Sequence, residues 1–164
     1  LNRRGGLMRE TITITVFDEN DPVTIENVAE AVNEYEAVVR PCSSREVLLS
    51  VTRRQDVDVV VIGFQKPFEE MFTLLRAVKT QAEGAEVVFV SQFDDQALWF
   101  WIEAIQRGAY EFLPKPTDPE DLKSVLLRAT EKRHPIKLKK LPFANSIKGA
   151  FLEGYQHKAV AAGN

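Results

Sequence analysis

A single cysteine, Cys42, stands in the 164 residues, which excludes an internal disulfide and a thiolate metal cluster. Histidine is almost as scarce: His134 and His157 both fall near the carboxyl end, away from any strand end. An independent enzyme built on His or Cys chemistry is therefore not expected. No apolar run approaches the roughly 20 residues of a membrane span, and no signal peptide precedes the first strand. Membrane partners are not expected, and the location reads as cytoplasmic. An excess of positive charge is missing too. Lys and Arg number 21 against 24 Asp and Glu, and the formal net charge of −3 argues against a general nucleic-acid-binding surface. Nothing repeats internally and no stretch is of low complexity.

What remains is the composition of an ordinary globular protein, 45% hydrophobic and 27% charged, with the length of one domain and enough chain for a full core. Residues 1–8, with Arg3-Arg4-Gly5-Gly6 ahead of Met8, read as a disordered leader or an expression remnant. Residues 9–133 read as the folded domain. Its organising stretch is Val57 to Pro67, where Val57, Val59, Val60, Val61 and Ile62 suit a central parallel strand covered on both faces. Around it, Thr11 to Phe17 alternates as a strand, and Asp21-Pro22 opens a helix with Ile25, Val28, Ala29 and Val32 at helical spacing. A short strand over Ala37 to Arg40 precedes a helix opened by the capping-box pattern of Ser43 and Glu46. A helix from about Phe68 to Gln81, a strand over Ala85 to Val90 ending at Ser91 and a helix started by Asp94-Asp95 and running through Arg107 follow. Tyr110 to Leu113 forms a fifth strand, and Thr117-Asp118-Pro119-Glu120 opens a fifth helix to about Arg133. Five strands alternating with five helices predict an α/β fold, a doubly wound parallel sheet.

Residues 134–164 differ in character. Lys132, Arg133, Lys137, Lys139 and Lys140 cluster around their start, and Ile147, Phe151 and Tyr155 lie four apart, which predicts a C-terminal helix within 145–160. This extension reads either as a tail docked on its own domain or as a basic linker toward a partner or output domain. Any nucleic-acid contact would run through it.

In an open α/β sheet the working groups sit at the carboxyl ends of the strands. Those ends carry Asp18 and Glu19 after the first strand, Gly63 after the third, Ser91 after the fourth and Lys115-Pro116 after the fifth. With Gly108-Ala109-Tyr110-Glu111-Phe112-Leu113-Pro114-Lys115-Pro116, this arrangement resembles the receiver domain of two-component response regulators over about Thr11 to Arg133. The resemblance implies a flavodoxin-like fold with strand order 2-1-3-4-5. It also implies an acidic pair that binds Mg²⁺, matched by Asp18 and Glu19, although Asn20 looks like an added residue in that loop. Ser91 matches the hydroxyl that bonds a phosphoryl group, Lys115 the lysine that neutralises it, and Phe112 the aromatic that reports occupancy. The acceptor carboxylate, an Asp in the family, falls on Gly63.

A glycine side chain accepts no phosphate and offers Mg²⁺ no side-chain oxygen. Asp58 is five residues back, roughly 16 Å at ~3.3 Å per residue, and Glu69 and Glu70 fall in the next helix's first turn. The expected protein is thus a degenerate receiver, not phosphorylated at the usual site, with Mg²⁺ bound weakly or not at all. In that case Lys115 pairs with Asp18 or Glu19 across the pocket, Ser91 caps a loop and Phe112 belongs to the core. Trp99-Phe100-Trp101 span about 200° of a helix at ~100° per residue, and Ile102 and Ile105 are expected as its inward stripe. Together with the face that the resemblance implies for contacts, made by the fourth helix, fifth strand and fifth helix, this places Trp99, Phe100, Trp101 and Tyr110 at an expected protein interface, a homodimer or a partner contact. Three functional readings follow: a non-phosphorylated interaction module tied to a histidine kinase or output domain, a phospho-receiver using another acid, or a small-anion sensor beside Lys115 and Ser91.

Overall fold

The computed structural model describes residues 11–64 and 66–134, and the backbone of 150–152. The leader at 1–8, Gln65, His157 and the remainder of the tail lie outside the described residues. The elements run β1 (Ile12–Phe17), α1 (Val23–Ala31), β2 (Ala37–Pro41), α2 (Arg45–Arg54), β3 (Val59–Gly63), α3 (Phe68–Gln81), β4 (Glu86–Gln92), α4 (Asp95–Gln106), β5 (Glu111–Lys115), α5 (Pro119–Arg133) and β6 (Ala150–Leu152). The sheet order is β5-β4-β3-β1-β2-β6, all pairs parallel, so the expected 2-1-3-4-5 order holds with one strand added outside β2.

Strand periodicity divides the core into two layers. Along β3, Val59 and Val61 join Val28, Val32 and Leu126 under α1 and α5, whereas Val60 and Ile62 join Leu48, Leu75 and Phe100 under α2, α3 and α4. Every residue of β3 is buried, which is why its sequence alternates in neither polarity nor size. The helices start where side chains satisfy their free amides. Asp118 Oδ1 accepts from the Glu120 and Asp121 amides ahead of Pro119, and Asp94 Oδ1 accepts from the Ala97 amide. At α2 the capping residue is Ser44, accepting from the Val47 amide at 3.1 Å, and not the Ser43 of the capping-box pattern. Gly84 and Gly108 end α3 and α4 with φ of 86° and 104°, the left-handed backbone that only glycine adopts without strain.

Two further expectations are corrected. Ala150–Leu152 forms β6, paired Ala37↔Ala150 to Val39↔Leu152, where a helix was expected. The outer edge of β2 presents unpaired amides and carbonyls, and a strand satisfies them as a helix cannot. On α4, Ile102 and Ile105 face solvent; the inward stripe is Ala97, Phe100 and Ala104. Phe100 wins the inward position because its ring fills the space among Phe64, Phe72 and Phe89, at centroid distances of 4.4, 5.1 and 4.9 Å.

Candidate functional site

The strand ends bring Asp18, Gly63, Ser91 and Lys115 to one edge, as their order along the sheet requires. Phe17 pairs with Ile62, so Asp18 and Gly63 follow side by side on neighbouring strands. Their proximity has a consequence for both. A Cβ built on Gly63 would lie 2.5 Å from Asp18 Oδ2 and closer still to Cγ and Oδ1. The Asp18 carboxylate thus occupies the space in which a side chain at 63 would begin. Gly63 is not there for backbone freedom, because its φ is not positive. It is there as the residue that leaves room.

Asp18 is held in that place from two sides. Lys115 Nζ donates to its Oδ2 at 2.6 Å, and Thr24 Oγ1 donates to the same oxygen at 2.6 Å. The Asp18 side chain is only 5% exposed, so this charge-assisted pair sits in a weakly screened environment. Lys115 has a second acid, Asp21 Oδ2, at 3.0 Å. The hydrogen bond from Lys115, more than the one from the Val23 amide, holds the Asp21 carboxyl below the usual carboxylate range. Asp21 and Thr24 were not among the site residues expected from sequence, where Asp21 read only as a helix cap. It does that as well, Oδ1 accepting from the Val23 amide at 3.0 Å. The signal available in the sequence was the spacing Asp18, Asp21, Thr24, one residue in three around the β1–α1 turn.

The other expected site residues divide. Ser91 is buried and its hydroxyl donates to the Gln92 carbonyl at 3.1 Å. Glu19 is exposed and is not part of the Lys115 cluster. Lys115, expected to pair with Asp18 or Glu19, is shared instead by Asp18 and Asp21. Phe112 is buried and stacks on Trp101 at 5.9 Å. Phe100, expected at an interface, has no exposed surface and cannot contact a partner in the folded chain. Trp101 and Tyr110 are half-buried, the latter under the Lys132 ammonium at 5.8 Å. Only Trp99 of the four is well exposed, resting on Phe68 and Phe72.

This donor set does not fit a divalent cation. Position 63 offers no side-chain oxygen, and Oδ2 of Asp18 already receives an ammonium and a hydroxyl. A cation there would face the Lys115 charge at close range. Nor is there room for a small anion between Lys115 and position 63, because a carboxylate of the chain itself lies there. A cleft of about 240 Å³ does open on the α1 side of Lys115, lined by Thr24, Asn27, Gln92 and Thr117 among others.

A second polar cluster lies at the amino ends of the strands. Asp58, completely buried, accepts from the Thr13 amide at 2.9 Å and the Thr13 hydroxyl at 3.1 Å. Asp56, Asp58 and His134 place one ligand atom each within 4.8 Å of one another. Arg133 already reaches this group, 2.5 Å from Asp56 Oδ1 and 3.9 Å from Asp58 Oδ1. Lys132 pairs with Glu86 at 3.1 Å. The first two cations of the basic stretch are thus ion-paired to the domain, where the sequence grouped them with the tail.

Comparison with known proteins agrees with this architecture. The profile of the response regulator receiver domain matches residues 14–127. The DNA-binding transcriptional regulator NtrC of Rhizobium meliloti is 33% identical over 129 residues, which are 77% of this chain and 26% of that protein. The chain spans about a quarter to a third of the length of the curated relatives it matches. Among solved structures, a response regulator from Thermotoga maritima superposes with a TM-score of 0.65 at 22% identity, covering 74% of this chain and 98% of that one. The N-terminal signal receiver domain of a response regulator from Bacteroides fragilis superposes with a TM-score of 0.61 at 28% identity, covering 72% and 95%.

Proposed function

This chain belongs to the response regulator receiver family, and from that premise we propose that it is a signalling module working through protein contacts, without accepting a phosphoryl group at the end of β3. The observation that carries the reading is the Asp18 carboxylate lodged in the space beside Gly63 and tied to Lys115. A receiver that uses an acyl phosphate needs a carboxylate on β3, a metal beside it and a lysine free to meet the new charge. Here the first is absent and the third is engaged by Asp18 and Asp21.

Lys115 therefore has, permanently, the negative partner that phosphorylation would otherwise supply. The module has no catalytic role of its own and signals by which partner it holds. Exposed apolar residues on α4 are its contact surface. Its partners are a kinase, an output domain or another regulator in the cytoplasm; the larger size of the curated relatives supports an output domain elsewhere in the complete protein. No described helix is long and apolar enough to cross a membrane.

Intact-mass spectrometry after incubation with Mg²⁺ and acetyl phosphate tests this, with an active receiver treated in parallel as the control. The expected outcome is an unchanged mass for this chain while the control gains one phosphoryl group. A phosphoryl adduct on this chain under the same conditions would falsify the reading, and peptide mapping would then name the acceptor.

A further inference from the structure

The polar cluster at the amino ends of the strands takes no part in the proposed function, and its spacing is unusual. Among the described residues three buried side-chain polar atoms have no hydrogen-bond partner, and two of them face one carboxylate. His134 Nε2 lies 3.7 Å from Asp58 Oδ1, and Arg133 Nη1 lies 3.9 Å from the same oxygen, both too far for a hydrogen bond. Buried polar atoms are normally satisfied, so this spacing leaves a place for a further group between them.

Three segments of the chain fix the geometry. Asp58, just ahead of β3, is completely buried, and its Oδ2 accepts from the Thr13 amide and hydroxyl on β1. Its other oxygen is the one that faces His134. His134 caps α5, its amide donating to the Thr130 carbonyl at 2.8 Å. Asp56 stands exposed in the turn between α2 and β3. In a tetrahedral metal site with bonds of ~2.1 Å, neighbouring ligand atoms are ~3.4 Å apart. The 3.7 Å between Asp58 and His134 is close to that edge. Asp56, within 4.8 Å of both, has at most about 1.4 Å to close from its exposed turn.

Charge at this edge favours a cation. Two carboxylates meet here, and the carboxyl end of the 15-residue α5 adds the negative pole of its dipole. Arg133 makes its close contact with Asp56, whose side chain is 55% exposed, and not with Asp58. The carboxyl edge differs, because there Lys115 donates directly to the buried Asp18 at 2.6 Å. An ion entering beside Asp58 displaces only a half-exposed ion pair, which contributes little, and gains a buried carboxylate. One imidazole and two carboxylates suit Zn²⁺, whereas Mg²⁺ prefers an all-oxygen shell.

We propose that Asp56, Asp58 and His134 form a Zn²⁺ site, completed by water, that fastens the end of α5 to the start of β3 in exchange for the Arg133 guanidinium. It lies at the opposite edge of the sheet from Lys115 and stands independently of phosphoryl transfer. Calorimetric titration of the full chain with zinc chloride is expected to show one saturable site, undisturbed by millimolar Mg²⁺. Asp56→Asn and His134→Gln are each expected to weaken it at least about tenfold, and Arg133→Gln, which removes the competing cation, to tighten it. His157→Gln, at the other histidine of the sequence, is expected to leave it unchanged, and the buried Cys42 does not compete. Circular dichroism confirms that each variant is folded; Asp58 is left intact because its loss would strand Thr13. No saturable uptake at hundreds of micromolar Zn²⁺, uptake indifferent to both Asp56→Asn and His134→Gln, or uptake lost with His157→Gln overturns the proposal. An unchanged affinity in Arg133→Gln overturns the exchange with the guanidinium.

Discussion

At the scale of single residues, one methyl group at position 63 separates two causes for the glycine. In a strand with ordinary φ, replacing Gly by Ala normally helps, since it removes freedom from the unfolded chain. Here the added Cβ meets the Asp18 carboxylate, which can leave only by giving up both Lys115 and Thr24. Gly63→Ala is therefore expected to cost about 1–3 kcal/mol. In an Asp18→Ala background the same change is expected to cost almost nothing, a coupling on the order of 1–2 kcal/mol. Urea denaturation of the four proteins measures it. Strictly additive costs would mean that Asp18 and Gly63 are not a compensating pair. The absence at 63 was plain in the sequence; that Asp18 moves into it was not, because a one-dimensional reading gives no distance between β1 and β3.

At the scale of elements, α4 shows how a correct argument from periodicity can pick the wrong face. Three consecutive aromatics cannot share one core, and the structure agrees: Phe100 is buried, Trp99 exposed and Trp101 between. The aliphatic stripe at Ile102 and Ile105 looked equally suitable for the interior. The choice between them lies in what waits on the sheet, where Phe89 and Phe112 meet Phe100 edge-on at 4.9 and 6.2 Å. Large rings on β4, β5 and α3 leave a ring-shaped space. Phe100→Ala is accordingly expected to destabilise the domain by about 3–5 kcal/mol, and Trp99→Ala by no more than about 1 kcal/mol. Chemical denaturation of both variants checks the contrast; comparable losses would place Trp99 in the core. The β6 correction has a similar origin, since the open edge of β2 is not visible from residues 145–160 alone.

At the scale of the whole molecule, the two ends of the sheet divide the work. The carboxyl edge holds the Asp18–Lys115 pair, and the amino edge ties α5 down through Arg133 and Asp56, beside the buried Asp58. Global stability also depends on pH through Cys42, whose thiol burial pushes up from 9.0 to about 11. Between those values the unfolded chain ionises this thiol and the folded chain does not. The neutral thiol's contribution is thus complete below about pH 9 and is lost as pH rises toward 11. The loss is expected to be on the order of 2–3 kcal/mol at most. Stability measured against pH for the parent and for Cys42→Ala is expected to diverge in that window alone, the parent falling more steeply. Parallel curves would mean that the thiol is not held neutral by the fold.

The sequence by itself determined the alternation of strands and helices, the sheet order implied by the family resemblance, and the convergence of Asp18, Gly63, Ser91 and Lys115 at one edge. The alternation follows from local physics, since β-branched runs, helical spacing and caps act over a few residues and right-handed crossovers make the sheet parallel; the strand order came with the resemblance. Tertiary structure alone decided which acid pairs with Lys115, that Ser91 turns to its own backbone, which face of α4 is inward, and where Ala150–Leu152 lies. Each of these depends on side chains far apart in the chain competing for one volume or one charge. Asp18 and Lys115 are 97 residues apart in sequence and 2.6 Å apart in space, and only the folded chain brings that distance into being.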